Sequence, residues 1–254
     1  MKTVIVDKIS SVAIHQSLKR ELRVSNEIPC EEGVLVAAEI LNNKTSYNTL
    51  ELTSGRMAKL KAGDVIIGAL GHRKALFGYS GHLPKTLAPG DTVQVLNMGG
   101  VLGICDSVNA TFGPPFDARV LGAVLEFPYL GERIGVPARA GAEQLHRAPD
   151  ADTHGVPVIA IAGTCMNAGK TAAACAIISR LRHHELIVDA FKATGVALRR
   201  DTLAMEDAGA RNTSTFSDFG VMCTTADNGP AVTRTMLTRL GAEKPDAIVY
   251  ELGD

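Results

Sequence analysis

Apolar residues change their spacing along this chain, and the change divides it in two. Through residues 1–139 the pattern is that of short strands: Met1 to Asp7, Gly33 to Leu41, Tyr47 to Thr53 and Arg119 to Phe127 are apolar or mixed runs bounded by turn residues. Ser11 to Arg23 reads equally as strand or short helix. Two phrases echo each other, LKAGDVIIG (Leu60 to Gly68) and LAPGDTVQV (Leu87 to Val95). Each sets a Gly-Asp turn before a β-branched strand, so residues 1–139 are expected to form a compact, β-rich, barrel-like domain. Residues 140–155 are polar and are expected to be a linker. From residue 156 to 254 strands and helices alternate, as in a parallel α/β domain: strands at Val158 to Ala162, Leu186 to Phe191, near Phe219 to Cys223 and at Asp246 to Asp254, with helices at Ala172 to Arg182 and Ala231 to Leu240. Another helix-like stretch carries Asp201 and Asp207. In the first helix Ala174, Ile177, Ile178 and Leu181 recur at three- and four-residue steps and mark the buried face.

The candidate chemistry sits where the first of these later strands meets its helix. The segment Pro157 to Thr171, PVIAIAGTCMNAGKT, runs from an apolar strand through a glycine-bounded loop into Gly-Lys-Thr at a helix start. That order suits a loop that cradles phosphates on backbone N–H groups and a helix N-terminus, with Lys170 as the cation and the Thr171 hydroxyl available to Mg²⁺. The common form of the motif places its first glycine at 164, where this chain has Thr164, with Gly163 one position earlier. Gly163, Thr164, Asn167, Ala168, Gly169, Lys170 and Thr171 are therefore the expected nucleotide-binding residues. Open α/β sheets bind ligands at the carboxyl ends of their strands, which directs attention to Lys192, Thr194 and Gly195 after the second strand and Glu251 at the end of the last. A carboxylate such as Glu251 suits Mg²⁺ or the attacking group. Cys165 lies in the loop with no base nearby, and Cys175 reads as a small helix-packing residue.

Composition narrows the function further. Lys and Arg (26) nearly balance Asp and Glu (27), and aromatics make up only 4% with no Trp, which argues against a nucleic-acid surface. No run of eighteen apolar residues occurs and the first residues carry early charges, so neither a membrane span nor a signal peptide is expected, and the cytoplasm is the default compartment. The five cysteines are scattered without C-x-x-C, against a disulfide framework or zinc ribbon. In the front half, Gly68 to Lys85 carries His72, Arg73, Lys74, His82 and Lys85 and reads as an anion-binding loop or a wet hairpin. Gly99, Gly100 and Gly103 allow close approach of backbone to backbone or ligand. The loop from Phe127 to Gly141, with Arg133 and Arg139, is rigid and cationic-leaning. His146 and His154 read as solvent-facing linker residues.

The loop GTCMNAGKT resembles the phosphate loop of dethiobiotin synthetase and its relatives, where G-T-x-x-x-x-G-K-T carries the same displaced glycine. The later part also resembles the nucleotide domain of the two-domain DUF1611-like proteins, which include an amino-acid N-acyltransferase-like enzyme. The resemblance covers roughly residues 157–254. It implies that Lys192 in FKATG matches a catalytic lysine after the second strand and that Glu251 in YELGD matches the acid of V-E-G-A-G. By the same likeness, Asp207 in MEDAGA matches an Asp that helps hold Mg²⁺, with Asp201 as its rival. The catalytic set so implied is Lys170, Lys192 and Glu251, and the metal set Thr171, Asp207 and Glu251. Such domains normally continue, so this one is expected to be incomplete at its C-terminus. Self-association as a homodimer is a further implication. The expected function is an ATP/Mg²⁺-dependent enzyme acting on a small carboxylate- or amine-bearing metabolite by phosphoryl transfer or phosphate-activated ligation. An NTP-dependent switch or maturation factor with a protein partner, and an acyltransferase that reuses the loop for acyl-coenzyme A, are the alternatives.

Overall fold

The structure of the chain, a computed structural model, describes residues 1–74, 78–129, 131, 134–143, 145 and 150–253. Arg133, His146 and Asp254, singled out above, lie outside the described residues. The fold is mixed α/β, rich in strands and sparse in helices. The front half holds β1 (Lys2–Ile5), β2 (Lys8–Ile9), β3 (Glu21–Ser25), β4 (Leu35–Ile40), β5 (Thr49–Glu51), β6 (Met57–Lys59), β7 (Val65–Leu70), β8 (Tyr79–His82), β9 (Thr92–Val95), β10 (Val101–Val108), β11 (Phe116–Glu126) and β12 (Val136–Pro137). The back half holds β13 (Val158–Ile161), α1 (Lys170–His183), β14 (Val188–Lys192), α2 (Arg200–Asp207), β15 (Thr213–Thr215), α3 (Gly229–Ala242) and β16 (Ala247–Glu251).

The front strands run in the order β1-β3-β11-β4-β7-β10-β8, with β9 paired to both β10 and β11, while β5 and β6 form a separate hairpin. The two echoing phrases close the same kind of turn. Asp64 accepts from the Lys61 N–H at 2.7 Å and Asp91 from the Ala88 N–H at 2.8 Å, and the glycine before each Asp is left-handed, Gly63 at φ 90° and Gly90 at φ 101°. An Asp side chain that caps the turn N–H three residues earlier fixes the entry into a strand, which is why the phrase recurs.

The back sheet is all parallel, ordered β13-β16-β14-β15. Alternation along its strands sorts their side chains. Val188, Ala190 and Val249 pack with Ala174, Ile178 and Met205 of α1 and α2, whereas Phe191 and Ile248 pack with Val232, Met236 and Leu240 of α3. The buried face of α1 is the one its periodicity marks, with Ala174 and Ile178 buried and Ile177 and Leu181 beside them. The third strand differs from expectation. Phe219 to Cys223 is not a strand; the paired segment is the polar Thr213–Thr215, and Phe216–Phe219 is a 3₁₀ turn whose aromatic rings fill the join between the halves. One apolar cluster takes residues from both halves, Val4, Val24, Leu35, Ile67 and Val101 from the front and Phe191, Phe216, Met222 and Ile248 from the back. The halves are thus packed on a shared core.

Polar contacts lock the same seam. Asn97 donates through Nδ2 to the Ala197 carbonyl at 2.6 Å, and the fully buried Glu51 accepts from the Ser11 hydroxyl at 2.6 Å and the Arg199 N–H at 2.8 Å. Ala142 and Glu143, in the expected linker, donate their N–H groups to the Asp218 carbonyl at 2.9 and 3.2 Å. Among the described residues no helix is long and apolar enough to cross a membrane.

Candidate functional site

Parallel pairing brings the expected chemistry into one row. Ile161 is opposite Glu251, and Lys192 is opposite Glu251 on the other side, so the strand bearing Glu251 lies between the loop strand and the strand bearing Lys192. Lys192 follows Val188 and Ala190 in phase, and Glu251 follows Val249, so both side chains leave the sheet on the α1 and α2 face. There Glu251, only 3% exposed, accepts from the Thr171 hydroxyl at 2.8 Å. Lys192 forms an ion pair with Asp201 in the first turn of α2, and Arg200 Nε stands 3.9 Å from the other oxygen of Asp201.

The loop itself connects β13 to α1 through two left-handed residues, Asn167 at φ 62° and Gly169 at φ 86°. Gly169 is the N-cap of α1, so the first N–H groups that follow it have no intrahelical acceptor, an arrangement able to receive an anion. Lys170, 7% exposed, folds back over the loop, and its ammonium donates to the Cys165 carbonyl at 2.6 Å. A Cβ at position 163 would lie 2.9 Å from Lys170 Cγ, so the displaced glycine makes room for the lysine stem. Gly163, Thr164 and Cys165 are exposed, and the Thr164 hydroxyl makes a weak 4.0 Å contact to the Cys165 sulfur.

The later part of this loop, with Lys192, Asp201 and Glu251, borders a cavity of about 520 Å³ that Gly163, Thr164 and Cys165 do not line. From the back half it is lined by Asn167 to Ala172, Lys192, Gly195, Val196, Leu198, Arg200, Asp201 and Glu251; from the front half by Tyr47, Arg73, Asn97, Met98 and Phe112. Of the two rival aspartates, Asp201 lines it; Asp207 is exposed at the far end of α2 and does not. The six-residue step between them places Asp207 about 9 Å further along the helix and on another face. Thr194 is turned to the Gly253 carbonyl at 2.8 Å. Cys175, on α1, packs against the core cluster beneath that helix, its thiol pushed up by burial and by the carboxylates of Glu251 and Asp201. His72 and His82 do not converge: Nδ1 of His72 accepts from the Leu83 N–H at 3.3 Å, while His82 pairs with Asp106 at 2.7 Å. Among the described residues no group of three His, Cys, Asp or Glu could hold a metal ion on its own.

Sequence reasoning missed most of the front wall. Arg73 belongs to the glycine-rich cationic loop, and the glycine pair after Asn97 and Met98 is a signal for close approach. Tyr47 and Phe112 carried no signal, since each is a single aromatic in a polar turn.

A second cavity of about 530 Å³ lies on the other side of α2, bordered by His15, Arg199, Arg211, Arg239 and Asp218. Its charges are largely matched internally: Arg211 with Asp189, Arg239 with Glu143, and His15 with Asp218 at 2.8 Å. Burial pushes the Asp218 carboxyl up, but bonds from His15, the Thr215 N–H and the Ser214 hydroxyl, with the His15 charge, outweigh it and hold it below its ordinary 3.8. A carboxylate lowered by folding stabilises above its unfolded pKa and loses that contribution as pH falls through the folded one. Asp218→Asn is therefore expected to cost about 2 kcal/mol at neutral pH. In urea titrations at successive pH values the gap to the unaltered protein closes on the acid side of 3.8; a gap independent of pH would exclude this role for Asp218.

No protein-family model, no curated protein and no solved structure matches this chain.

Proposed function

We propose that the chain is an ATP- and Mg²⁺-dependent enzyme that acts on a small carboxylate- or amine-bearing metabolite by phosphoryl transfer or phosphate-activated ligation. In this reading the back half is a phosphate-loop nucleotide domain, and the front strands β11, β4, β7, β10 and β9 are a barrel-like support for the second substrate. The observation that carries it is the single row in which Glu251 stands between the loop strand and Lys192, with the Thr171 hydroxyl on the Glu251 carboxylate at 2.8 Å.

The donor chemistry fits Mg²⁺. Thr171 and Glu251 present adjacent hard oxygens, and this ion keeps most of its waters and needs only one or two protein oxygens beside those of the phosphates. When bound, Mg²⁺ supplies positive charge against the outer phosphate oxygens. The protein's own residues do the rest. Loop N–H groups and Lys170 hold the phosphates, and Lys192, paired with Asp201, faces the terminal one. An acceptor carboxylate oxygen then forms the new bond to the terminal phosphorus as the bond to the bridging oxygen breaks, and ADP leaves with that electron pair. Asp201 acts here by positioning Lys192, and Asp207 has no part.

Equilibrium binding and turnover on the purified full chain test the reading. Mg²⁺-ATP is expected to bind, with Lys170→Ala lowering turnover on the order of 10²–10³-fold, the effect of removing one preorganised donor from developing charge. Retention of acetyl-coenzyme A without Mg²⁺, in place of ATP, would transfer the loop to the acyltransferase reading. Binding of neither ligand would remove the phosphate role.

A further inference from the structure

The front wall of the first cavity is built unlike the rest of the site. Tyr47 and Phe112 stack at 4.8 Å between ring centroids with 28° between planes, and Tyr79 meets Tyr47 edge-on at 5.5 Å. Tyr47 and Phe112 are both half-buried and border the cavity. The two turns that carry them are tied together. Lys44 Nζ donates to the Phe112 carbonyl at 2.9 Å and also bonds the Pro114 carbonyl, and Ser46 Oγ donates to Phe112 at 3.3 Å. Met98 sits beside them, its sulfur accepting from the Thr49 hydroxyl at 3.5 Å. Tyr47 holds φ at 48°, a left-handed conformation that a bulky residue adopts only where its surroundings impose it, and such positions cluster at ligand sites.

Position decides what this wall faces. Lys192 and Glu251 lie on one side of β13, and the segments that meet the front wall, Gly195 to Asp201, lie beyond Lys192 on that same side. If the terminal phosphate faces Lys192, then the space between Lys192 and the rings belongs to the acceptor. On the same condition the nucleoside end is left to the other end of the loop, where Ala162 to Cys165 are exposed. The cavity lining holds Arg73, Lys170, Lys192 and Arg200 against the two acids Asp201 and Glu251, an excess of cations that suits a carboxylate. The two rings and the Met98 sulfur that border the front of the cavity suit a flat, polarisable group.

We propose that Tyr47 and Phe112, with Met98, form the specificity wall for the acceptor, and that the acceptor is a small carboxylic acid bearing an aromatic ring. This rests on the nucleotide reading above, which places Lys192 at the terminal phosphate.

Indole-3-acetate is a suitable probe, because the chain contains no Trp and the indole is excited selectively. The full chain is titrated with indole-3-acetate, and with acetate as the ringless control, in the presence of Mg²⁺ and ATP; ATP affinity is measured separately. Two variants are compared: Tyr47→Asn, which tolerates the left-handed backbone while removing the ring, and Phe112→Leu, which keeps apolar bulk. The proposal expects indole-3-acetate to bind where acetate does not, and each variant to weaken it about tenfold or more, the scale of one lost stacking partner. ATP affinity should stay within about twofold of the unaltered protein on that view, since no stacking partner of the base is lost. ATP binding with no indole-3-acetate binding would overturn the aromatic acceptor and leave the nucleotide reading standing. Loss of ATP affinity in the ring variants would assign the rings to the nucleobase and overturn the proposal equally. Failure of both ligands to bind would remove the nucleotide reading, and this inference with it.

Discussion

Lys192→Ala is expected to destabilise the protein by about 3 kcal/mol, whereas Lys192→Met combined with Asp201→Leu returns stability close to the starting value. The two side chains are 11% and 12% exposed, so removing the ammonium leaves a carboxylate that water cannot reach well. Arg200 compensates in part, since its Nε is 3.9 Å from Asp201, but its side chain is 64% exposed and its charge is screened. That places the single variant at the low end of the range for broken buried pairs. Replacing both partners removes the burial cost of both charges. Turnover should follow a different rule. If Lys192 acts on the terminal phosphate, the paired variant is as inactive as the single one, because restored packing does not restore the cation. Urea midpoints and ATP turnover on the same three proteins separate the effects. A paired variant that regains both stability and turnover would reduce Lys192 to a structural residue.

Gly99→Ala is expected to cost about 3 kcal/mol, at the upper end of what overpacking one methyl does. A Cβ at this position would lie 2.0 Å from the Ala197 carbonyl oxygen and 3.0 Å from its carbon. Both are backbone atoms of the segment between Lys192 and Asp201, so neither can rotate away. That oxygen also accepts from Asn97 Nδ2 at 2.6 Å, so separating the two segments forfeits this bond too. Gly90→Ala is the control: its Cβ would meet nothing within 4 Å, and the cost is only that of a left-handed backbone at φ 101°, about 1 kcal/mol. Calorimetric melting of both variants measures the difference. Equal melting temperatures would mean that the seam yields easily and does not hold the cavity walls in place.

Much of the back half is legible from residue order because its signals are local. The apolar run at Val158, the glycines at 163 and 169 and the small-residue face of α1 act within a few residues of one another, and each leads to the element observed. The same holds for Lys192 and Glu251, since a strand's alternation settles which face its last residue takes. The third strand was not legible for an equally physical reason. Thr213–Thr215 is short, polar and at the sheet edge, so it needs little apolar sequence, while the apolar residues Phe219 and Val221 to Cys223 are buried in the seam as turn and loop. The choice between Asp201 and Asp207 was likewise open, because residue order does not mark where the helix after Lys192 begins and so which aspartate stands in its first turn.

By itself the sequence determined the loop and its helix, the two echoing Asp-capped turns and the facing of Lys192 and Glu251, all consequences of backbone geometry and hydrogen bonds spanning a few residues. Tertiary structure alone decided that β16 inserts between β13 and β14, that Asp201 rather than Asp207 reaches the cavity, and that Tyr47, Asn97, Met98 and Phe112 form its far wall. Those outcomes depend on pairing and packing between segments far apart in the chain. Their free energy comes from burying shared apolar surface, to which no short window of residues contributes both sides.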